Sequence, residues 1–131
     1  MKVLIVEDEM ISRQIIVEYF SQYGECDTAV DGEEAVALFR EALESGNKYD
    51  LISLDIMLPE TDGQTVLKKI REIEAGHKIF GLKGVKVIMT TALNDFNNIK
   101  TAFNSQCEGY IVKPIDLDKL TAKIKELKLI D

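Results

Sequence analysis

The sequence predicts an α/β domain built on a parallel sheet with helices on both faces, and two observations carry that expectation. Short apolar runs of strand length alternate with segments of helical period along the chain. Four of those runs end in polar residues. Lys2-Val3-Leu4-Ile5-Val6 leads into Glu7-Asp8, and Leu51-Ile52-Ser53-Leu54 into Asp55. Val85-Lys86-Val87-Ile88-Met89 leads into Thr90-Thr91, and Tyr110-Ile111-Val112 into Lys113-Pro114. In a parallel sheet the four polar stations meet at one edge, beyond the carboxyl ends of the strands, where open α/β sheets place their sites.

Strands are expected over 2–6, 27–30, 51–54, 85–89 and 109–112, with five helices between and after them. The first, over 10–23, sets Ile11, Ile15, Ile16, Tyr19 and Phe20 on one face and ends at Gly24. The second opens on Asp31 as N-cap with Glu34 three residues on, and buries Ala35, Val36, Leu38 and Phe39. The third follows Asp62-Gly63 and carries Val66, Leu67, Ile70 and Ile73. The fourth, over 95–104, keeps Phe96, Ile99, Ala102 and Phe103 at helical spacing, but Asn94 just before it and Asn97, Asn98 and Asn104 within it are weak helix formers. The fifth is capped by Asp116 two residues after Pro114 and buries Leu117, Leu120, Ile124 and Leu127. The connection over 76–84 is longer than such units need, and it holds the one histidine, His77, read as a solvated loop side chain.

At 131 residues, with 46% hydrophobic and 30% charged, the chain is sized and composed for one globular domain, and no internal repeat or linker divides it. Sixteen basic against twenty-three acidic residues give a net charge of −7, and no basic stripe is present, so direct nucleic-acid binding is not expected. No stretch approaches the roughly 20 apolar residues of a membrane span. Lys2 runs straight into a strand where a signal peptide would have its apolar region, so a cytoplasmic protein without membrane insertion is expected. Cys26 and Cys107 lack a C-x-x-C or histidine-rich context and are read as buried free thiols.

Glu7, Asp8 and Asp55 converge at the ends of neighbouring strands, and clustered carboxylates repel unless a cation or protons intervene. With only oxygen ligands at hand, that cation is Mg2+ (or Mn2+) rather than zinc. Lys113 can approach an anion there, and an X-Pro bond at a strand end is a candidate for the cis form. Thr91 offers a hydroxyl; Thr90 competes with it, since alternation lets one of the two face the site. A metal, a carboxylate nucleophile, a lysine and a hydroxyl make a phosphoryl-transfer set.

With these residues in place, the chain resembles the receiver domain of bacterial two-component response regulators, chemotaxis-regulator-like, from Val3 to about Leu127. The matching motifs are Glu7-Asp8, Asp55-Ile-Met-Leu-Pro59 with Asp62-Gly63, Thr91-Ala92, and Tyr110-Ile-Val-Lys113-Pro114. The resemblance implies a flavodoxin-like doubly wound (βα)5 fold with strand order 2-1-3-4-5, residues 1–131 forming one receiver domain with no output domain. It implies that Asp55 accepts a phosphoryl group from the phosphohistidine of a sensor histidine kinase or phosphotransfer protein. Asp8, Asp55 and the Met57 carbonyl would hold Mg2+, with Glu7 acting directly or through water. Lys113 would pair with phosphoryl oxygens and Thr91 would move to hydrogen-bond one of them, with Tyr110 swinging inward. Tyr110 also reads as a plain half-buried strand aromatic. The face formed by 95–104, 109–112 and 116–128 would then change its affinity for a downstream protein target or a fused output domain. A domain of this kind is a phosphoacceptor that catalyses only its own phosphorylation and dephosphorylation.

Three rivals remain at the level of sequence. A haloacid-dehalogenase-type aspartate phosphatase carries a second Asp two residues after the nucleophile, where Met57 stands here. A flavin-binding module should have a Ser/Thr-rich phosphate loop where Glu7-Asp8 lies. A non-phosphorylated pseudo-receiver would not need Asp55, Thr91 and Lys113 together.

Overall fold

The computed structural model describes residues 1–91 and 107–131. Five strands, β1 (Lys2–Val6), β2 (Glu25–Ala29), β3 (Leu51–Asp55), β4 (Lys86–Thr91) and β5 (Gly109–Val112), form one parallel sheet in the order β2-β1-β3-β4-β5. The described helices are α1 (Met10–Ser21), α2 (Gly32–Ser45), α3 (Gly63–Gly76) and α4 (Leu117–Glu126). The helix expected over 95–104, with Ala92 and Leu93 before it, lies outside the described residues. None of the described helices is long and apolar enough to cross a membrane.

Each central strand reads as a continuous apolar run because both of its faces are covered. Leu4, Val6, Ile52, Leu54, Val87 and Met89 pack in one core with Ala35 and Phe39 of α2 and Val66, Leu67 and Ile70 of α3. Val3, Ile5, Leu51, Ile88 and Ile111 pack in the other with Ile16 and Phe20 of α1 and Leu120 and Ile124 of α4. The alternation along β3, Leu51 to one side and Ile52 to the other, is that of a strand buried twice.

The caps expected at Asp31 and Asp116 are present, and Asp62 is a third. Asp31 accepts the Glu34 N–H at 2.8 Å, Asp62 the Thr65 N–H at 2.8 Å, and Asp116 the Asp118 N–H at 2.9 Å. Three apolar positions correct the expected core: Ile11, Ile15 and Leu117 are 63%, 45% and 40% exposed. Ile11, Ile15 and Tyr19 form one stripe on α1, and α4 covers it only at its lower end, where the Tyr19 hydroxyl is hydrogen-bonded to that of Thr121. Towards the start of the helix the stripe stays exposed at Ile11 and Ile15. Val36, Leu38, Ile73 and Leu127 are half-buried at the rims of the two cores. Cys26 and Cys107 are free, and half-buried rather than fully so.

Residues 76–84 are ordered around a short 3-10 turn (Gly81–Lys83). His77 caps α3, its Nδ1 lying 3.0 Å from the Ile73 carbonyl, and its side chain is exposed.

A candidate phosphoryl-transfer site at the sheet edge

The parallel register carries Val6, Leu54 and Met89 to one level, so the residues that follow them in each strand emerge side by side. Asp55 closes β3 and is 3% exposed. Its Oδ1 accepts the Met57 N–H at 3.0 Å, which fixes the carboxylate against the turn that follows. That turn is held from below: the Ile56 N–H donates to the Thr90 carbonyl at 3.0 Å and the Gly63 N–H to the Ile56 carbonyl at 2.8 Å. A Cβ at Gly63 would collide with the Asp55 carbonyl and lie 2.8 Å from the Ile56 Cα. Glycine in the Asp62-Gly63 pair is therefore a matter of close approach, which lets α3 start directly beneath the aspartate.

Glu7 is 1% exposed and Asp8 is exposed. One oxygen from each of Glu7, Asp8 and Asp55 lies within 4.8 Å of the others. Lys113 reaches into this group from the end of β5, with Nζ 2.6 Å from Glu7 Oε1 and 3.0 Å from Asp55 Oδ2, and its bond to Pro114 is cis. The crowding shows in the acidities. Burial, reinforced by the hydrogen bond with Asp55, raises the Glu7 carboxyl from 4.5 to about 7 against the opposing pull of Lys113. Burial works to lower Lys113, but its bonds to Glu7 and Asp55 outweigh that and hold the ammonium above its ordinary value. One lysine thus faces two buried carboxylates with a third alongside. Hard oxygen donors at this spacing, with excess negative charge and an acid driven to keep its proton, fit a divalent cation of the Mg2+ type.

The structure brings Glu7, Asp8, Asp55 and Lys113 together. Met57 sits at the mouth with its side chain 61% exposed. Thr91 is the last residue of β4; Thr90 pairs in register with Asp55, and both threonines are buried. Tyr110 lies on β5 opposite Met89, two ladder steps below the Thr91–Val112 pair, and is 38% exposed. Sequence reading missed Arg13, whose guanidinium meets the carbonyls of Glu7 and Asp8, because nothing in its neighbourhood distinguishes it from a solvated helix residue.

Comparison with known proteins agrees with this geometry. The family model described as "Response regulator receiver domain" matches residues 3–125. The chemotaxis protein CheY of Treponema pallidum is 37% identical over 94% of this chain and 79% of its own length. The transcriptional regulatory protein ResD of Bacillus subtilis is 35% identical over 96% of this chain. The chain spans 47% of ResD, and the same share of the probable transcriptional regulator ycf27 of Cyanophora paradoxa. Among solved structures, the Saccharomyces cerevisiae complex of the phosphotransfer protein Ypd1 with the receiver domain of Ssk1 matches with a TM-score of 0.81 at 32% identity, covering 97% of this chain and 88% of that one. The CheX-CheY-BeF3-Mg complex of Borrelia burgdorferi matches with a TM-score of 0.80 at 30% identity and the same coverages. The motifs, the strand order and these relatives agree: the chain belongs to the response regulator receiver domain family, the signalling domain of two-component systems.

Proposed function

We propose that Asp55 is the phosphoacceptor of this receiver domain, and that Asp8, Asp55 itself and the Met57 carbonyl hold Mg2+ there, with Glu7 acting directly or through water. The observation that carries the reading is the shared grip of Lys113 on Glu7 and Asp55 within a cluster of three carboxylates. Bound there, the cation would offset the negative charge of carboxylates and phosphoryl oxygens in one place. In the transfer, an Asp55 carboxylate oxygen attacks the phosphorus of a phosphohistidine. The new O–P bond forms as the N–P bond breaks, and the imidazole leaves with its electron pair. The Met57 N–H holds Oδ1, leaving Oδ2, now bonded to Lys113, as the attacking atom; the ammonium then turns to the incoming phosphoryl oxygens. The Thr91 hydroxyl donates to one of those oxygens, and the domain catalyses its own modification mostly by positioning.

The donor is a histidine-phosphorylated protein, a sensor kinase or a phosphotransfer protein, as Ypd1 is named for the receiver of Ssk1. Met10 and Ile11, at the start of α1, and Met57, in the turn after β3, are largely exposed apolar residues at the sheet edge where such a donor must approach. The added charge of about −1.5 to −2 beside Lys113 and Thr91 is the event that shifts the domain's conformation. Tyr110 and the face it shares with α4 pass that shift to a downstream protein or a fused output domain.

Acetyl phosphate with Mg2+, followed by intact-protein mass spectrometry, tests the reading. Wild type should gain one phosphoryl increment, and Asp55→Asn should gain none. A wild type that stays unmodified, or an Asp55→Asn variant modified as fully, would remove the assignment.

A further inference from the structure

Glu7 and Asp8 are consecutive, yet both must present a carboxylate to one place. Along an extended strand successive side chains leave on opposite faces, so a strand cannot do this. The backbone has to bend between Val6, where β1 ends, and Met10, where α1 begins. The Glu7 N–H still extends the ladder, donating to the Ala29 carbonyl at 3.0 Å. The carbonyls of Glu7 and Asp8 meet one and the same group, Nη1 of Arg13, at 3.1 and 3.3 Å.

Arg13 stands one turn into α1, and that turn is itself tied to the bend. The Glu9 carboxylate caps the helix by accepting the Ile11 and Ser12 N–H groups at 3.1 and 2.6 Å, and the Ser12 hydroxyl foremost, with these two backbone bonds behind it, holds its carboxyl below the ordinary glutamate value. The Glu9 N–H in turn donates to Glu7 Oε2 at 3.2 Å. The bend is therefore clamped on both sides, by a cap at its exit and a guanidinium across its carbonyls.

We propose that Arg13 is a positioning residue for the divalent cation. By gathering two successive carbonyls onto one nitrogen, it fixes the directions in which the Glu7 and Asp8 carboxylates leave the bend. The inference rests on the reading of the carboxylate cluster as a Mg2+ site. The chemistry suits arginine: both hydrogens of Nη1 lie in the rigid guanidinium plane, aimed apart at two acceptors, whereas a lysine ammonium is a rotating point charge. Positioning and charge also pull in opposite directions here. A fixed cation near a Mg2+ site repels the ion, so removing the charge alone would tighten binding, and removing the clamp would weaken it. The sign of the change separates the two.

The test is a Mg2+ titration of the metal-free, unphosphorylated protein, followed by NMR through the amides of Glu9 and Met57, which report on Glu7 and Asp55. Wild type, Asp8→Asn, Arg13→Met and Arg13→Lys are compared at one pH. Arg13→Met keeps the aliphatic stem and a good helix former, and Arg13→Lys keeps a donor. Arg13→Met should raise the Mg2+ Kd on the order of 10-fold, the lower end of what groups behind metal ligands contribute, with Arg13→Lys in between. The Glu9 amide should shift in metal-free Arg13→Met as the bend relaxes. An unchanged or tighter Kd in Arg13→Met overturns the proposal while leaving the metal site standing. A wild type whose Mg2+ response is absent, or is untouched by Asp8→Asn, overturns both.

Discussion

The two ends of the sheet each carry a cluster of charged side chains, and they are built on opposite plans. At the amino end of β4, Arg71 of α3 bonds the Glu74 carboxylate at 2.8 Å, both oxygens of Glu108 at 3.1 and 3.2 Å, and the Val85 carbonyl at 2.8 Å. The two glutamates also accept backbone N–H groups, Glu74 from Val85 and Glu108 from Val87, each at 2.6 Å. Every charge there has partners in fixed protein groups, although burial still holds the Glu108 carboxyl above its ordinary value. At the carboxyl end, Lys113 stands against Glu7 and Asp55 with Asp8 alongside, and the Glu7 carboxyl is raised to about 7. A cluster paired through protein groups ties α3 to the sheet, whereas an under-neutralised one keeps capacity for a cation and for a phosphoryl group.

The largest effect should come from breaking the Arg71 cluster. Arg71→Ala leaves Glu74, 4% exposed, without its counter-charge. Uncompensated buried charges of this kind cost on the order of 3 kcal/mol. The urea midpoint should fall accordingly with an unchanged slope. A loss below about 0.5 kcal/mol would mean that the Arg71 cluster is no more than a surface ion pair.

The under-neutralised cluster should show itself instead through pH. Glu7 titrates near 7 in the folded protein against 4.5 for the free side chain. Because the folded value is the higher one, the folded state binds the extra proton between those limits. That contribution is fully present below about pH 4.5 and is lost as pH rises through 7. Metal-free protein should therefore lose on the order of 2 kcal/mol between pH 5 and pH 8, scaled from about 1.4 kcal/mol per pH unit. Denaturation series at the two pH values measure it. Glu7→Gln should flatten the dependence, and so should saturating Mg2+, which favours the ionised carboxylate. A wild-type profile as flat as that of Glu7→Gln would show that Glu7 is ionised throughout.

How far each cluster could be read from the sequence follows from the same contrast. Glu7, Asp8, Asp55 and Lys113 are legible because each interrupts the pattern: a charge at the end of an apolar run has to be explained. Asp31 and Asp116 are legible as caps because capping is a local rule of three residues. Arg71 and Glu74 are not, since a charged residue on an amphipathic helix looks like solvated surface until the fold brings α3 under β4, and Glu108, in the bend before β5, looks like a loop charge for the same reason. Ile11 and Ile15 fail for a related reason. Their helical spacing is right, but what covers a helix face is decided by elements distant in the chain. Arg13 combines both difficulties, as it acts on backbone carbonyls, which carry no sequence signal.

The smallest effect is the most discriminating. Asp8 is exposed, so in metal-free protein Asp8→Asn should change stability by no more than about 0.5 kcal/mol, in the stabilising direction as one of three clustered charges is removed. The same substitution should remove most of the stabilisation that Mg2+ confers on wild type, which amounts to about 2.7 kcal/mol at a concentration 100 times Kd. Thermal melts of both proteins with and without Mg2+ give the four values needed. An Asp8→Asn variant that Mg2+ stabilises as strongly as wild type would show that the cation binds without this carboxylate. A metal-free Asp8→Asn variant destabilised by more than 1 kcal/mol would show that Asp8, like Glu74 at the other end, belongs to the fold before it belongs to a site.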